Sequence, residues 1–322
     1  MPYVALVFVL GIIMTGLAVR VLRTFGVLDV PNHRSSHSRP TVRGAGVGVA
    51  VCGIGAAVTA AAAGTRELWV LAGLGAAFAI LGLLDDLRPL GVAVRLPAQL
   101  VLAVGALVTI RPPTSTLVAI LVVAFVVGYV NAFNFMDGIN GISVLHAAAV
   151  GIAWAFAGSV AGEPLAVFVG GVAASAALAF LPFNLPTARA FLGDVGSYFF
   201  GGWIAVSAIL LIGRLPLPVL FIPLMPYVAD TVWTLVRRVR RGERWHEAHR
   251  EHVYQRLEQS GWSHTRVSLA VGSVTLGCGA LGIAAASASG VLPVVLAALA
   301  AIACAIYLAL PELNARVEVG ST

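Results

Sequence analysis

Long apolar runs alternate with short polar islands from one end of the chain to the other. Runs of roughly 20 apolar residues, the length that crosses a hydrocarbon core of about 30 Å, can be placed about eleven times. They fall near residues 3–22, 44–63, 67–84, 95–111, 115–133, 141–160, 164–182, 196–213, 215–236, 266–287 and 289–310. Backbone in lipid must satisfy its own hydrogen bonds, so each run predicts a helix. Threaded in order, they bring five polar islands out on one face: residues 33–46 (HRSSHSRPTVRGAG), 85–90 (DDLRPL), 131–141 (NAFNFMDGING), 184–197 (NLPTARAFLGDVGS) and 237–256, which contains HEAHREH. Carboxylates, carboxamides and imidazoles gathered on one surface predict an active-site cleft at the interface. A path across the bilayer needs such groups in mid-membrane.

Composition agrees with the pattern. Of 322 residues, 59% are hydrophobic and 11% charged, and the mean hydropathy of +0.96 lies outside the range of soluble domains. All twenty basic residues are arginine. Arg66, Arg111 and Arg214 fall in short loops on one side and the rest on or near the other, which the positive-inside rule makes cytoplasmic. The prediction is therefore an all-α integral membrane protein, with its N-terminus outside, its C-terminus inside and its cleft on the cytoplasmic face. Its first run reads as a retained signal anchor, because no small-residue cleavage site precedes Arg20 and Arg23. The Arg-only, Ala/Val/Gly-rich composition suggests a bacterial source, hence the inner membrane. The net charge of +6 belongs to the cytoplasmic face, where it attracts anionic headgroups or phosphorylated substrates, although topology alone accounts for most of it. Cys52, Cys278 and Cys304 lack any metal-ligand spacing and read as packing residues. No repeat or linker divides residues 1–322, which read as one polytopic domain.

Each island has a bland reading and a chemical one. Asp85 and Asp86 close a span where Arg88 or a divalent metal can compensate them, but charges also commonly cap membrane helices. Asn131, Asn134, Asp137 and Asn140 recur every three residues, which sets them on one helical stripe facing a nucleobase, ribose or metal. Taken singly they also fit helix caps. Asp194, between Gly193 and Gly196 at a helix start, fits an N-cap or a ligand of Mg²⁺. His246, His249 and His252, interleaved with Arg244, Arg250 and Arg256, suit diphosphate oxygens, or else a basic helix lying on the membrane. Asp230 is the one carboxylate well inside a span. No GxxxxGK[ST] motif occurs, so P-loop chemistry is excluded.

In this order, DDLRPL, NAFNFMDGING, FLGDVGS and HREHVYQ resemble the polyprenyl-phosphate N-acetylhexosamine-1-phosphate transferases, the enzymes that start peptidoglycan, teichoic acid and O-antigen lipid intermediates. The resemblance implies transfer of a HexNAc-1-phosphate from a UDP-sugar to undecaprenyl phosphate, with release of UMP and a need for Mg²⁺, or Mn²⁺ in its place. It implies metal binding by Asp194 with Asn131, and catalytic roles for Asp85, Asp86 and His252. It also implies substrate contacts from Asn134, Asp137, Asn140, Asn184, His249, Arg250 and Arg43, with His37 flanking. Its partners would be undecaprenyl phosphate, a UDP-N-acetylhexosamine and membrane lipids, without nucleic acid, and it leaves room for a homodimer. Asn140 stands where relatives often carry a second acid, and Tyr254 and Gln255 stand where many carry further histidines. With RSSH, these departures lie closer to the O-antigen and capsule branch than to the peptidoglycan enzyme, and leave GlcNAc or a 6-deoxy-HexNAc as donor. Direct in-line attack by the acceptor phosphate is the expected route, with a phosphoryl-aspartate on Asp85 as the other. A transporter or lipid-linked-sugar flippase is the competing class. It calls for paired polar groups in mid-bilayer and two similar halves, and the sequence has neither.

Overall fold

The computed structural model describes residues 2–31, 39–112, 115–244 and 249–320, the side chains of Pro2 and 315–320 aside. Its elements are α1 (Pro2–Thr24), β1 (Leu28–Asp29), β2 (Thr41–Val42), α2 (Val47–Ala62), α3 (Glu67–Leu87), α4 (Val92–Ile110), α5 (Thr116–Met136), α6 (Ile142–Ala161) and α7 (Pro164–Asn184). They continue as α8 (Gly193–Leu210), α9 (Leu217–Phe221), α10 (Met225–Arg240), α11 (Val253–Gln259), α12 (His264–Ser287) and α13 (Leu292–Gly320). Among the described residues, nine helical segments are long and apolar enough to cross a membrane, and α2 is a shorter apolar helix. The eleventh expected crossing is α8, whose first turn carries Asp194. The protein is thus an all-α multi-span membrane protein.

Three boundaries differ from the hydropathy reading, each for a local reason. The fourth helix starts at Val92, not near 95, so Arg95 lies in its first turn. The eighth starts at Gly193 and takes in Asp194. The ninth run is interrupted: α9 passes through a 3₁₀ turn at Ile222–Leu224 into α10. Pro218, Pro223 and Pro226 lack the N–H groups that a continuous helix needs. The short strands also matter, because they begin a ladder that fixes the loop before α2. Phe191 N–H donates to Val42 O (2.8 Å), and Ala45 and Gly46 N–H donate to Phe191 O (3.1 Å) and Leu192 O (3.0 Å).

The densest packing surrounds α6, α7 and α8, where Trp154, Trp203, Tyr198, Phe180 and Phe200 are fully buried. By contrast α1, α4 and α13 expose much of their apolar surface, as helices facing lipid do. Connections that the threading places on the side away from the polar islands meet one another. Arg214, after α8, pairs with Glu67 at 3.0 Å and reaches Glu163 at 3.9 Å. All three cysteines are free and buried, with Cys278 and Cys304 facing each other across α12 and α13.

Candidate active site

Four of the islands meet in one hydrogen-bonded cluster built on the N-terminus of α8. That end has backbone N–H groups without helical partners. Asp86, at the end of α3, supplies the acceptor: its carboxylate takes N–H bonds from Asp194 (3.0 Å) and Val195 (2.9 Å). Arg43, delivered by the 41–46 ladder, donates from Nε to Asp86 (2.7 Å) and from Nη2 to Asp194 (2.9 Å). Asn134, on the last turn of α5, donates to Asp194 Oδ1 (2.7 Å) and to Ser197 Oγ (3.0 Å). The Asp86 side chain is 2% exposed and that of Asp194 is 20% exposed. Asp86 is therefore the scaffold, and Asp194 the carboxylate open to a ligand.

Two glycines make this approach possible. Gly193 has φ +73°, and a Cβ there would lie 2.6 Å from both Asp86 Oδ2 and Gly44 Cα. A Cβ on Gly82, within α3, would overlap the Asp194 carbonyl. In sequence, Gly193 stands out only as a neighbour of Asp194, and Gly82 is not singled out. The GD step at Gly193 was the available signal.

Asp137 follows α5 at the edge of the cluster. Loss of solvent first, then the charges of Asp194 and Asp86, raise its pKa to about 8 against a hydrogen bond with Ser143 and the charge of Arg43. Two carboxylates, Asp86 and Asp194, share the one guanidinium of Arg43. Among the described residues no three His, Cys, Asp or Glu side chains gather into a metal cluster. A hard divalent cation needs fewer, since Mg²⁺ usually takes one or two carboxylates and completes its shell with water and phosphate oxygens. The oxygen donors of Asp194, Asp137 and Asn134 fit such an ion, and the partly exposed Asp194 carboxylate, 2.7 Å from Asn134, is the observation that favours it.

A second feature lies on the other side of α5. An apolar groove of about 660 Å³ runs between α4, α5 and α10, and at its polar end stand Arg95, Asn131, His249, His252 and Gln255. His252 is set from behind by Asp230. Asp230 Oδ1 accepts from His252 Nδ1 (3.0 Å), Val253 N–H (3.1 Å) and Thr234 Oγ1 (3.2 Å), while Tyr307 donates to Oδ2 (2.7 Å). Four donors use this carboxylate as acceptor only, which puts the His252 proton on Nδ1 and leaves Nε2 as the atom that exchanges protons. Asp230, for which sequence gave no role, orients His252.

The remaining predicted residues separate into those that face the groove and those that hold the protein together. Asp85 is 4% exposed and bound to Leu90 N–H (2.7 Å), Arg95 Nη1 (3.0 Å) and Tyr198 OH (3.2 Å). Asn131 donates to Gln99 Oε1 (2.5 Å) and Val127 O (2.8 Å), whereas Asn134 is the one of the pair that reaches Asp194. Asn184 is consumed by Gly141 N–H (2.5 Å) and Ala190 O (2.9 Å). Asn140 braces Pro186, His264 and Ser268. Arg250 pairs with Glu258 at 2.9 Å. The pKa of His249 is lowered to about 4 by desolvation, then by His252 and Arg238. The protein's own surroundings thus favour the neutral ring near neutral pH, and His249 lines the same groove as His252. Sequence reasoning missed Arg95 as a site residue, because it served there only as a topology marker. His37 and His246 lie outside the described residues.

Known proteins are similar to this chain over much of its length. The model of Glycosyl transferase family 4 matches residues 68–212, from the start of α3 past the end of α8. A probable undecaprenyl-phosphate N-acetylglucosaminyl 1-phosphate transferase of Bacillus subtilis is 28% identical over 284 residues, covering 81% of this chain and 77% of the relative. A decaprenyl-phosphate N-acetylglucosaminephosphotransferase of Mycobacterium tuberculosis is 29% identical over 306 residues, 79% of this chain and 74% of the relative. An undecaprenyl-phosphate alpha-N-acetylglucosaminyl 1-phosphate transferase of Thermotoga maritima is 32% identical over 165 residues, about half of each chain (50% and 51%).

Proposed function

Since the chain belongs to glycosyl transferase family 4, among the polyprenyl-phosphate N-acetylhexosamine-1-phosphate transferases, we propose that it moves a HexNAc-1-phosphate from a UDP-sugar to undecaprenyl phosphate, releasing UMP. The product would be the lipid-diphosphate-sugar that begins a cell-envelope glycan. The observation that carries this reading is the adjacency of an oxygen-rich, negatively charged cluster to an apolar groove with a polar end. One suits a metal-bound diphosphate, the other a long apolar chain ending in phosphate. GlcNAc and 6-deoxy-HexNAc are both compatible donors.

In the proposed reaction an oxygen of the acceptor phosphate attacks the donor phosphorus that bears the sugar. The anhydride bond to the nucleotide phosphate breaks, and UMP leaves with that bond's electron pair. The family generally uses a divalent metal. Mg²⁺, held by Asp194 with Asp137 and Asn134, would supply charge neutralisation to the diphosphate. Asn134 and Arg43 fix the Asp194 carboxylate. The acceptor phosphate is already largely ionised near pH 7, with a second pKa of about 6 for such groups, so little base catalysis is needed. His252 Nε2, primed by Asp230, can take the residual proton. The apolar groove walls would favour the lipid chain over water beside the acceptor phosphate.

The arginine distribution supports a site on the cytoplasmic face, the side on which nucleotide sugars are made. A carrier is disfavoured because Asp230, the intramembrane acid it would use, has four partners. UMP release by the purified protein with undecaprenyl phosphate, Mg²⁺ and a panel of UDP-HexNAc donors tests the proposal. The expected result is lipid- and metal-dependent release that falls about 10²-fold or more in Asp194→Asn. Full Mg²⁺-dependent activity in that variant would remove Asp194 from the metal site.

A further inference from the structure

The adjacent aspartates at the end of α3 look alike in sequence but face different surroundings. Asp86 turns to α8 and Arg43, and Asp85 turns to α4. Asp85 Oδ1 is taken by the Leu90 N–H, and Oδ2 by Arg95 and Tyr198. At 4% exposure it presents no free edge, and it is absent from the lining of the groove. A carboxylate so placed is poorly suited to attack phosphorus or to meet a phosphate, which it would also repel.

Arg95 is its counterpart. Its guanidinium is anchored through Nη1 to Asp85, remains 26% exposed, and lines the groove at the polar end opposite His252. Among the lining residues it alone carries a permanent charge, since the lining holds no carboxylate and no other arginine. Desolvation lowers the pKa of His249, the neighbouring candidate, so its charge is not permanent. An apolar groove with one anchored guanidinium at its polar end matches an amphiphile with an apolar chain and an anionic head. The planar fork, held on one side by a carboxylate, still has N–H donors beyond Nη1 to offer an anion.

We propose that Arg95 is the residue that receives the phosphate of the acceptor lipid, and that Asp85 is a positioning residue that sets Arg95 and does not act on the phosphate. The proposal rests on the transferase reading above and assigns the acceptor's head to a side chain within it. Asp85, Leu90 N–H and Tyr198 form a fixed backing, so the guanidinium loses little side-chain entropy when phosphate arrives.

The test is steady-state kinetics of Arg95→Met, Arg95→Lys, Asp85→Asn, Tyr198→Phe and the Arg95→Met/Asp85→Asn double variant, each checked for a monodisperse, cooperatively unfolding sample. Arg95→Met is expected to raise KM for the polyprenyl phosphate about tenfold or more with KM for the nucleotide sugar unchanged. Arg95→Lys recovers part of that loss, and Tyr198→Phe shifts the same constant more weakly. Asp85→Asn moves it in the same direction, and adding it to Arg95→Met costs little more, the signature of residues acting as one unit. A donor-free arm measures binding of undecaprenyl phosphate, dodecyl phosphate, phosphatidylglycerol micelles and inorganic phosphate to wild type and Arg95→Met. Preference for the chain-bearing monophosphates, lost in the variant, supports the assignment. Equal binding in wild type and variant, or an Asp85→Asn enzyme that loses kcat while its lipid KM stays intact, overturns it. Failure of the wild type to turn over any lipid phosphate, with Arg95-dependent binding retained, would instead overturn the transferase reading.

Discussion

His249 and His252 lie 5.0 Å apart between ring centroids, yet they do different work. His252 has a carboxylate behind Nδ1, whereas His249 is desolvated near Arg238 as well as Glu251 and Asp230, and its buried Nδ1 has no partner among the described residues. Because the folded pKa of His249, about 4, lies below the unfolded value of about 6.5, the unfolded chain binds more protons between these limits. Its contribution to stability is therefore present above about pH 6.5 and lost as pH falls towards 4. Thermal unfolding of the detergent-solubilised protein across that window should show a slope that flattens in His249→Gln, and an unchanged slope would count against the neutral ring. Gly82 is a second case where one residue decides geometry. Gly82→Ala pushes a methyl against the Asp194 carbonyl, and should cost about 1–3 kcal/mol and lower activity by misplacing Asp194. A variant with wild-type melting and turnover would show that α3 and α8 can part without consequence.

Elements, more than single residues, hold the histidine segment in place. Glu251, between Arg250 and His252, is gripped by Arg237 (3.3 Å), Arg241 (3.0 Å) and Arg238, all from the end of α10. Tyr254 on α11 donates to Phe135 O (2.9 Å) and so ties the segment to the end of α5. Glu251→Gln keeps the shape and removes the charge. For a partly exposed network it should cost about 1 kcal/mol, with a fall in kcat that grows at low salt, where the freed arginines repel most. Equal kcat at all salt concentrations would mean that the α11 contacts alone set His252. The helices themselves were readable from hydropathy because about 20 apolar residues in lipid have few alternatives to a helix. The break between α9 and α10 was readable in principle from Pro218 and Pro223, but mean hydropathy averages over it. The 41–46 ladder to 190–192 was not legible, since pairing across about 150 residues leaves no local periodicity.

Across the whole molecule, the co-facial islands foretold which segments would meet: Arg43, Asp86, Asn134 and Asp194 come from four of them and form one cluster. Sequence could not assign labour within them. Asp85 and Asp86 are adjacent yet serve different helices, and Asn131 and Asn134, one turn apart, meet Gln99 and Asp194 respectively. Such distinctions depend on which neighbour each side chain faces, and spacing alone does not carry that information. Buried polar groups such as His146, held by Tyr129 and Thr275, were hidden for the same reason.

The central claim is that sugar and phosphate move together onto a lipid. A UDP-HexNAc labelled in the sugar and in the phosphorus attached to it, incubated with the purified protein, undecaprenyl phosphate and Mg²⁺, tests this directly. The account predicts both labels in the organic phase at a one-to-one ratio, with an equal amount of UMP in the aqueous phase. Sugar label in the lipid without phosphorus, or label crossing a sealed vesicle with the UDP-sugar intact, would contradict it.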